Sequence, residues 1–166
     1  LTGIDVASLG LPPKALAGCV LDFGPEAAAR LPEIRIEIAE MERWVNSGGK
    51  SGRPGVVDRL DLRPAKDLFQ GRQLAGLSAR DVRAIGLDFS KAQLAGACFE
   101  GADLRGASFQ DADLRGASFR NANLSHACFL GADTRALELR DGARRPVRFD
   151  GAILDGTGMR KQGAAA

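Results

Sequence analysis

Large apolar residues recur at every fifth position along the middle of this chain: Phe89, Leu94, Phe99, Leu104, Phe109, Leu114, Phe119, Leu124 and Phe129. Two positions earlier stands a second column, Ala92, Ala97, Ala102, Ala107, Ala112, Ala117, Ala122, Ala127 and Ala132, without exception. A helix of 3.6 residues per turn would smear both columns around its circumference, and strict strand alternation would send successive centres to opposite faces. The chain must therefore turn a corner in every unit. Glycine is common two residues after a centre (Gly96, Gly101, Gly106, Gly116, Gly131), and Asp or Asn often stands just before it (Asp103, Asp113, Asn123, Asp133). Both suit turns: glycine tolerates the dihedrals, and Asx side chains bond nearby backbone. Small Ala and large Leu or Phe fill a narrow interior, one of each per side, and stacked turns of this kind make a solenoid.

The unit Ala102-Asp103-Leu104-Arg105-Gly106 and its neighbours resemble the pentapeptide-repeat family, A(D/N)LxX. That resemblance implies an all-β repeat solenoid, a right-handed quadrilateral β-helix with four units per coil. The alternation of Leu and Phe agrees, because a three-sided coil would stack Phe on Leu whereas a four-sided one stacks like on like. One aromatic column then reads Phe89, Phe109, Phe129 and Phe149, and another Phe99 and Phe119. With coils ~4.8 Å apart, four or so coils from about residue 85 to 160 make a rod on the order of 20 Å long.

Both ends depart from the pattern. Between Phe69 and Phe89 large residues move into the Ala column (Leu77, Val82, Leu87) while the centres shrink to Ala79 and Ala84, which predicts one irregular coil with inverted packing. Downstream, Thr134 replaces a centre and RDGARRPVRFD breaks the columns before Phe149, Ala152 and Leu154 restore them, so a loop is expected to bulge there; Arg144 stands where a core centre belongs. Residues 1–68 form a separate, partly helical N-terminal segment, residues 69–160 the repeat β-helix and residues 161–166 a tail. Within the first, Ile34, Ile38, Met41 and Val45 share a helical stripe over about residues 33–46, followed by a Gly/Ser/basic loop at 46–55. A rod end exposes unpaired backbone and its apolar interior, so this helix either caps the rod or docks Ile34, Ile38, Met41 and Trp44 on a partner.

Composition narrows the function. A net charge of +2 argues neither for nor against an acidic partner. Three cysteines, Cys19, Cys98 and Cys128, cannot build a disulfide scaffold, and Cys98 and Cys128 fall on opposite faces. No apolar run reaches the ~18 residues of a membrane span, so the chain reads as soluble, though it could lie peripheral to a membrane complex. GGKSG lacks the glycine six residues before Lys50 that a phosphate-binding loop needs. His126, the only histidine, sits at an outward corner near Cys128 without a third orienting group. No catalytic residue, cofactor or metal ligand set is expected, and the chain does not read as an enzyme.

Outward charge carries more. The position after each centre places Arg115 and Arg135 on one face, Glu100, Arg120, Arg140 and Arg160 on the next, Arg105 and Arg145 on the third, and Ser90, Gln110, Leu130 and Asp150 on the fourth. Arg115, Arg120, Arg135 and Arg140 are the candidate partner-binding residues of the repeat, since guanidinium suits bidentate carboxylate or phosphate contacts. The expectation is a scaffold or accessory subunit that binds other protein subunits and not nucleic acid directly. The family resemblance implies an alternative, a DNA mimic that binds gyrase, although arginine stands here where negative charge is needed. It also implies a photosynthetic or organellar setting such as the chloroplast thylakoid lumen, which the initial Leu, as in a trimmed import sequence, would fit; a bacterial cytoplasm is the other option.

Overall fold

Backbone pairing between successive coils follows the sequence period directly. In a computed structural model of the chain, which describes residues 23–159, Gln73 bridges to Gln93, Ser78 to Cys98, Arg83 to Asp103 and Asp88 to Ser108, each partner twenty residues on and each pair parallel. Four five-residue units therefore close one coil, and the coil has four sides. Side 1 carries Ser78, Cys98 and Ser118 in vertical register, side 2 Arg83, Asp103 and Asn123, side 3 Asp88, Ser108 and Cys128, and side 4 Gln73, Gln93, Asp113 and Asp133. Each side uses one amide in each direction: the Leu94 N–H donates to the Asp113 carbonyl at 2.8 Å, and the Gln93 N–H donates to Arg72 of the preceding coil at 2.8 Å. Between the sides the chain turns through a left-handed residue, usually glycine but also Asp81, Lys91, Asp111, Asn121 and His126. The side chains of Asp81, Asp111, Asn121 and His126 each lie against the corner of the next coil, where a Cβ would collide with them; those corners are Gly101, Gly131, Gly151 and Gly156.

The centres and the alanines are buried in one continuous core. Phe89 stacks on Phe109 (centroids 5.1 Å apart, 4° between planes) and Phe99 on Phe119 (5.3 Å, 5°), and the two stacks meet edge to face, as in Phe99 against Phe109 at 5.9 Å and 75°. Offset stacking and edge contacts suit the ring quadrupole and add about 0.5–1.5 kcal/mol per pair beyond burial. The inverted coil is present: Leu77, Val82 and Leu87 are buried beside Ala79 and Ala84 while the twenty-residue register is kept, so large and small residues have exchanged places across the same space.

The ladder begins earlier than residue 69. Val56 bridges to Ser78 and Asp61 to Arg83, an offset of twenty-two, and the two additional residues are taken up around a 3₁₀ turn at Arg63–Ala65. Below this first coil lie helix α1 (Pro25–Ala29), which the periodicity did not predict, and helix α2 (Leu31–Asn46), each with proline in its first turn. Ile34, Ile38 and Met41 of α2 are buried in the core, with Met41 over Gly55 and Leu77. They are thus spent inside the molecule and are corrected here as partner-binding residues; Trp44 is half-buried near Gly49. The helix also closes the backbone edge. Glu37 accepts the Val56 N–H at 3.1 Å and Glu42 the Gln73 N–H at 3.4 Å, the two amides that elsewhere donate to a preceding coil, while Arg53 and Arg72 hold the same carboxylates at 2.6 and 2.9 Å.

At the other end the loop is a hairpin of strands β1 (Leu137–Glu138) and β2 (Arg144–Arg145), the only two regular strands among the described residues. Beyond it Ser118 bridges to Arg148 and Asn123 to Ile153, an offset of thirty. The ten additional residues rotate the chain by half a coil. Phe149 consequently stacks on Phe119 (5.4 Å, 5°) and not in the Phe129 column, to which it is edge-on at 83°. Arg144 lies exposed on the hairpin and not at a core centre.

Replacing both Glu37 and Glu42 by alanine is expected to lower stability by about 1–3 kcal/mol, from two hydrogen bonds of charged acceptors that shield an edge. Phe109→Ala, which opens the aromatic stack, should cost about 3–5 kcal/mol. Urea unfolding midpoints at constant m would check both, and a double glutamate variant as stable as the parent would show that α2 covers only the apolar interior.

Candidate interaction surfaces

Because side chains alternate along each side, the residues before and after a centre both point outward, and an Asp at the first can reach an Arg at the second. Arg115 donates to the Asp113 carboxylate from Nε at 2.9 Å and Nη2 at 2.7 Å, and Arg135 to Asp133 with the same two distances. Asp61–Arg63 and Asp103–Arg105 repeat this bidentate pairing. Each of the four Asp residues also accepts the backbone N–H of its Arg. The Asp-x-Arg spacing was present in the sequence and signals this pairing. It locks each guanidinium plane against the rod. The hydrogen bonds from Arg135, side chain first and backbone second, bring the Asp133 pKa down to about 2, and the side-chain hydrogen bond from Arg115 likewise lowers Asp113. The pairing raises both arginines above their ordinary value.

The faces differ in detail from the sequence expectation. On side 1 charge alternates up the rod: Asp58 faces Arg80 at 3.9 Å, Glu100 accepts the Ser118 hydroxyl at 2.8 Å, and Arg120 faces Asp150 at 3.7 Å. Asp150 therefore belongs beside Arg120, not on the face of Ser90, Gln110 and Leu130, a consequence of the half-coil rotation. Arg140 is on the hairpin between β1 and β2, off the Arg120 face, and Arg145 is in β2 and donates to the Gly96 carbonyl at 2.8 Å, off the Arg105 face. Arg160, Cys19 and the 161–166 tail lie outside the described residues. Cys98 and Cys128 are free thiols on sides 1 and 3. Among the described residues no three His, Cys, Asp or Glu gather as a metal site, and no helix is long and apolar enough to cross a membrane.

Of the four arginines proposed for partners, the structure brings Arg115 and Arg135 together on side 4, Arg120 stands on side 1, and Arg140 on the hairpin. The hairpin is docked onto the corner between sides 4 and 1: Leu137 and the Arg145 carbonyl sit against Gly116, and the Arg145 guanidinium against Gly96. Between hairpin and side 4 lies a groove of about 430 Å³ lined by Arg115, Arg135, Ala136, Leu137, Glu138 and Arg144. A second cavity of about 410 Å³ near the last coil is lined by His126, Cys128, Phe129, Leu130 and Met159 among others.

A packed shaft with decorated walls, and no cluster of reacting groups on them, defines a repeat protein that works through its surface. The pentapeptide-repeat model, described as pentapeptide repeats in eight copies, matches residues 73–111 and 102–133, and the chain belongs to that family. A pentapeptide repeat protein from the cyanobacterium Cyanothece 51142 is similar at 23% identity over 69% of this chain and 66% of that one, with a TM-score of 0.45. A thylakoid-lumen pentapeptide repeat protein from Arabidopsis thaliana shares 33% identity over 46% of this chain and 74% of its own, with a TM-score of 0.32. QnrB1, a plasmid-mediated fluoroquinolone resistance protein, shares 23% over 48% of this chain and 47% of its own, with a TM-score of 0.21. A search of curated proteins finds no match.

Two outcomes follow. The Asp133 carboxyl should titrate near pH 2 by NMR and return toward the ordinary ~3.9 in Arg135→Gln. Because its folded pKa lies below its unfolded one, its contribution to stability is present above ~4 and fades as pH falls through about 2. Gly116→Ala should release the hairpin, since its Cβ would stand 2.7 Å from that of Leu137, whereas Gly106→Ala, with the same φ of +66° and nothing within 4 Å, controls for backbone strain. Faster tryptic cleavage at Arg140 and Arg144 in the first variant alone is the expected result.

Proposed function

We propose that the chain is a right-handed quadrilateral β-helix that acts as a non-catalytic protein-interaction module, an accessory subunit that presents fixed surfaces to other proteins of a larger assembly. The observation that carries this reading is the immobilisation of outward charge: Arg115 and Arg135 are each oriented by a bidentate aspartate on a wall whose own geometry is set by the coil ladder. Such a surface loses little side-chain freedom on docking, and that loss ordinarily weakens association. Arg120 and Arg140 extend the candidate surface onto the neighbouring side and the hairpin. Trp44 stays with it as a half-buried aromatic at the cap, whereas Ile34, Ile38 and Met41 do not. A photosynthetic or organellar setting is proposed with it on the family resemblance alone.

The DNA-mimic alternative asks for walls of uniform negative charge. Here carboxylates alternate with guanidiniums and the chain is at +2. No inhibition or protection is expected in a gyrase supercoiling assay, and dose-dependent inhibition would restore that alternative. The module reading is tested by affinity purification from native extract, comparing the parent with a variant in which Arg115, Arg120, Arg135 and Arg140 are glutamine. A defined complex lost in the variant is expected; the same companions at the same yield would remove the arginine surface from the proposal.

A further inference from the structure

The hairpin interrupts the repeat without serving the core, yet it is held in place. Leu137 packs where Gly116 has no side chain, Arg145 is bonded to the Gly96 carbonyl, Arg144 is paired with Glu138 at 2.9 Å, and the Leu139 N–H closes on Ala143 at 2.8 Å. What this placement creates is the groove along side 4, with two guanidiniums on its floor and a third on its wall. Both floor arginines use Nε and Nη2 on their aspartates; among the described residues no hydrogen bond engages Nη1 of either. Each therefore keeps an oriented pair of N–H donors that the internal pairing does not consume. Their ladder positions, Asp113 and Asp133, are bridged, so the two side chains project from adjacent coils ~4.8 Å apart, close enough for one carboxylate to bond both.

From this geometry we infer that the groove of Arg115, Arg135 and Arg144 is a docking site for a short acidic segment of a protein partner, its carboxylate bridging the two floor guanidiniums and an apolar neighbour resting on Leu137. The inference rests on the module reading above and names the partner's chemistry. The acidic residues in and below the groove decide between polyanions and a short segment. Asp113, Asp133 and Glu138 bring the region near neutrality, so a nucleic-acid backbone, whose binding depends on summed positive charge, gains little here. A single carboxylate seated on preorganised donors depends on geometry instead. Leu137 and Ala136 give the wall an apolar portion that a peptide can use.

The test is fluorescence polarisation of the full chain with a labelled peptide of alternating glutamate and leucine, against the same peptide with glutamine in place of glutamate, and against a labelled duplex DNA. The glutamate peptide should bind at least about tenfold more tightly than the glutamine one, and Arg115→Gln and Arg135→Gln should each weaken it by about tenfold or more. Arg135→Lys, which keeps the charge without the fork, should also weaken it. Arg135 is 81% exposed in its side chain, so its variants keep the test sound if Arg115→Gln fails to fold, and thermal melting identifies that case. Equal binding of the two peptides, no binding of either, or insensitivity to Arg135 would overturn the assignment, as would arginine-dependent binding of duplex DNA alone. A native complex that needs the four arginines while the glutamate peptide does not bind would refute the acidic-segment site and leave the module reading standing.

Discussion

Everything in this molecule depends on the vertical pairing of coil with coil. An amide at each centre donates to the next coil and the one before it donates to the previous coil, so each side is satisfied only when another lies above and below it. That requirement spaces the phenylalanine rings at 5.1–5.4 Å within a column and brings outward side chains into vertical ranks. It also makes the first coil's free edge a liability, since unpaired strand amides invite other chains. Glu37 and Glu42 are the response: two carboxylates on one helix that imitate the missing coil's carbonyls while Ile34, Ile38 and Met41 seal the interior beside them.

The central coils were legible from the sequence because one rule of packing acts on every unit in turn. The columns of Ala and of Leu or Phe, the four-sided coil and even the exchange of large for small at Leu77 and Ala79 can be read from spacing alone. The lower start was not, because Val56, Asp61 and Leu62 carry a two-residue surplus that takes them out of phase. The role of α2 was half legible: its apolar stripe announced burial, but only the fold shows that the surface buried against is the open shaft. Glu37 and Glu42 gave no signal, since a carboxylate on an amphipathic helix ordinarily faces water.

The candidate surface was less legible than the fold, for a related reason. Counting arginines on each face treats them as free charges, whereas Asp-x-Arg on one side is a nearly neutral pair with a defined direction. The recognisable feature lies in what the pair leaves unspent, and in the hairpin that stands over it. The glycines Gly96 and Gly116, indistinguishable in sequence from other corners, are where the hairpin lies down.

The hairpin's length has a meaning beyond the groove. Ten residues are two whole units, so the five-residue rhythm passes through the interruption unbroken while the coil resumes on the opposite wall. Phe149 keeps its step and changes its stack; Asp150 leaves the uncharged face and joins Arg120. Such an insertion works like a crank in a shaft: the axis runs on, and whatever is written downstream is presented half a revolution away. A lineage of these rods could therefore redistribute its surface chemistry by gaining or losing paired units at a corner, with no letter of the interior rewritten.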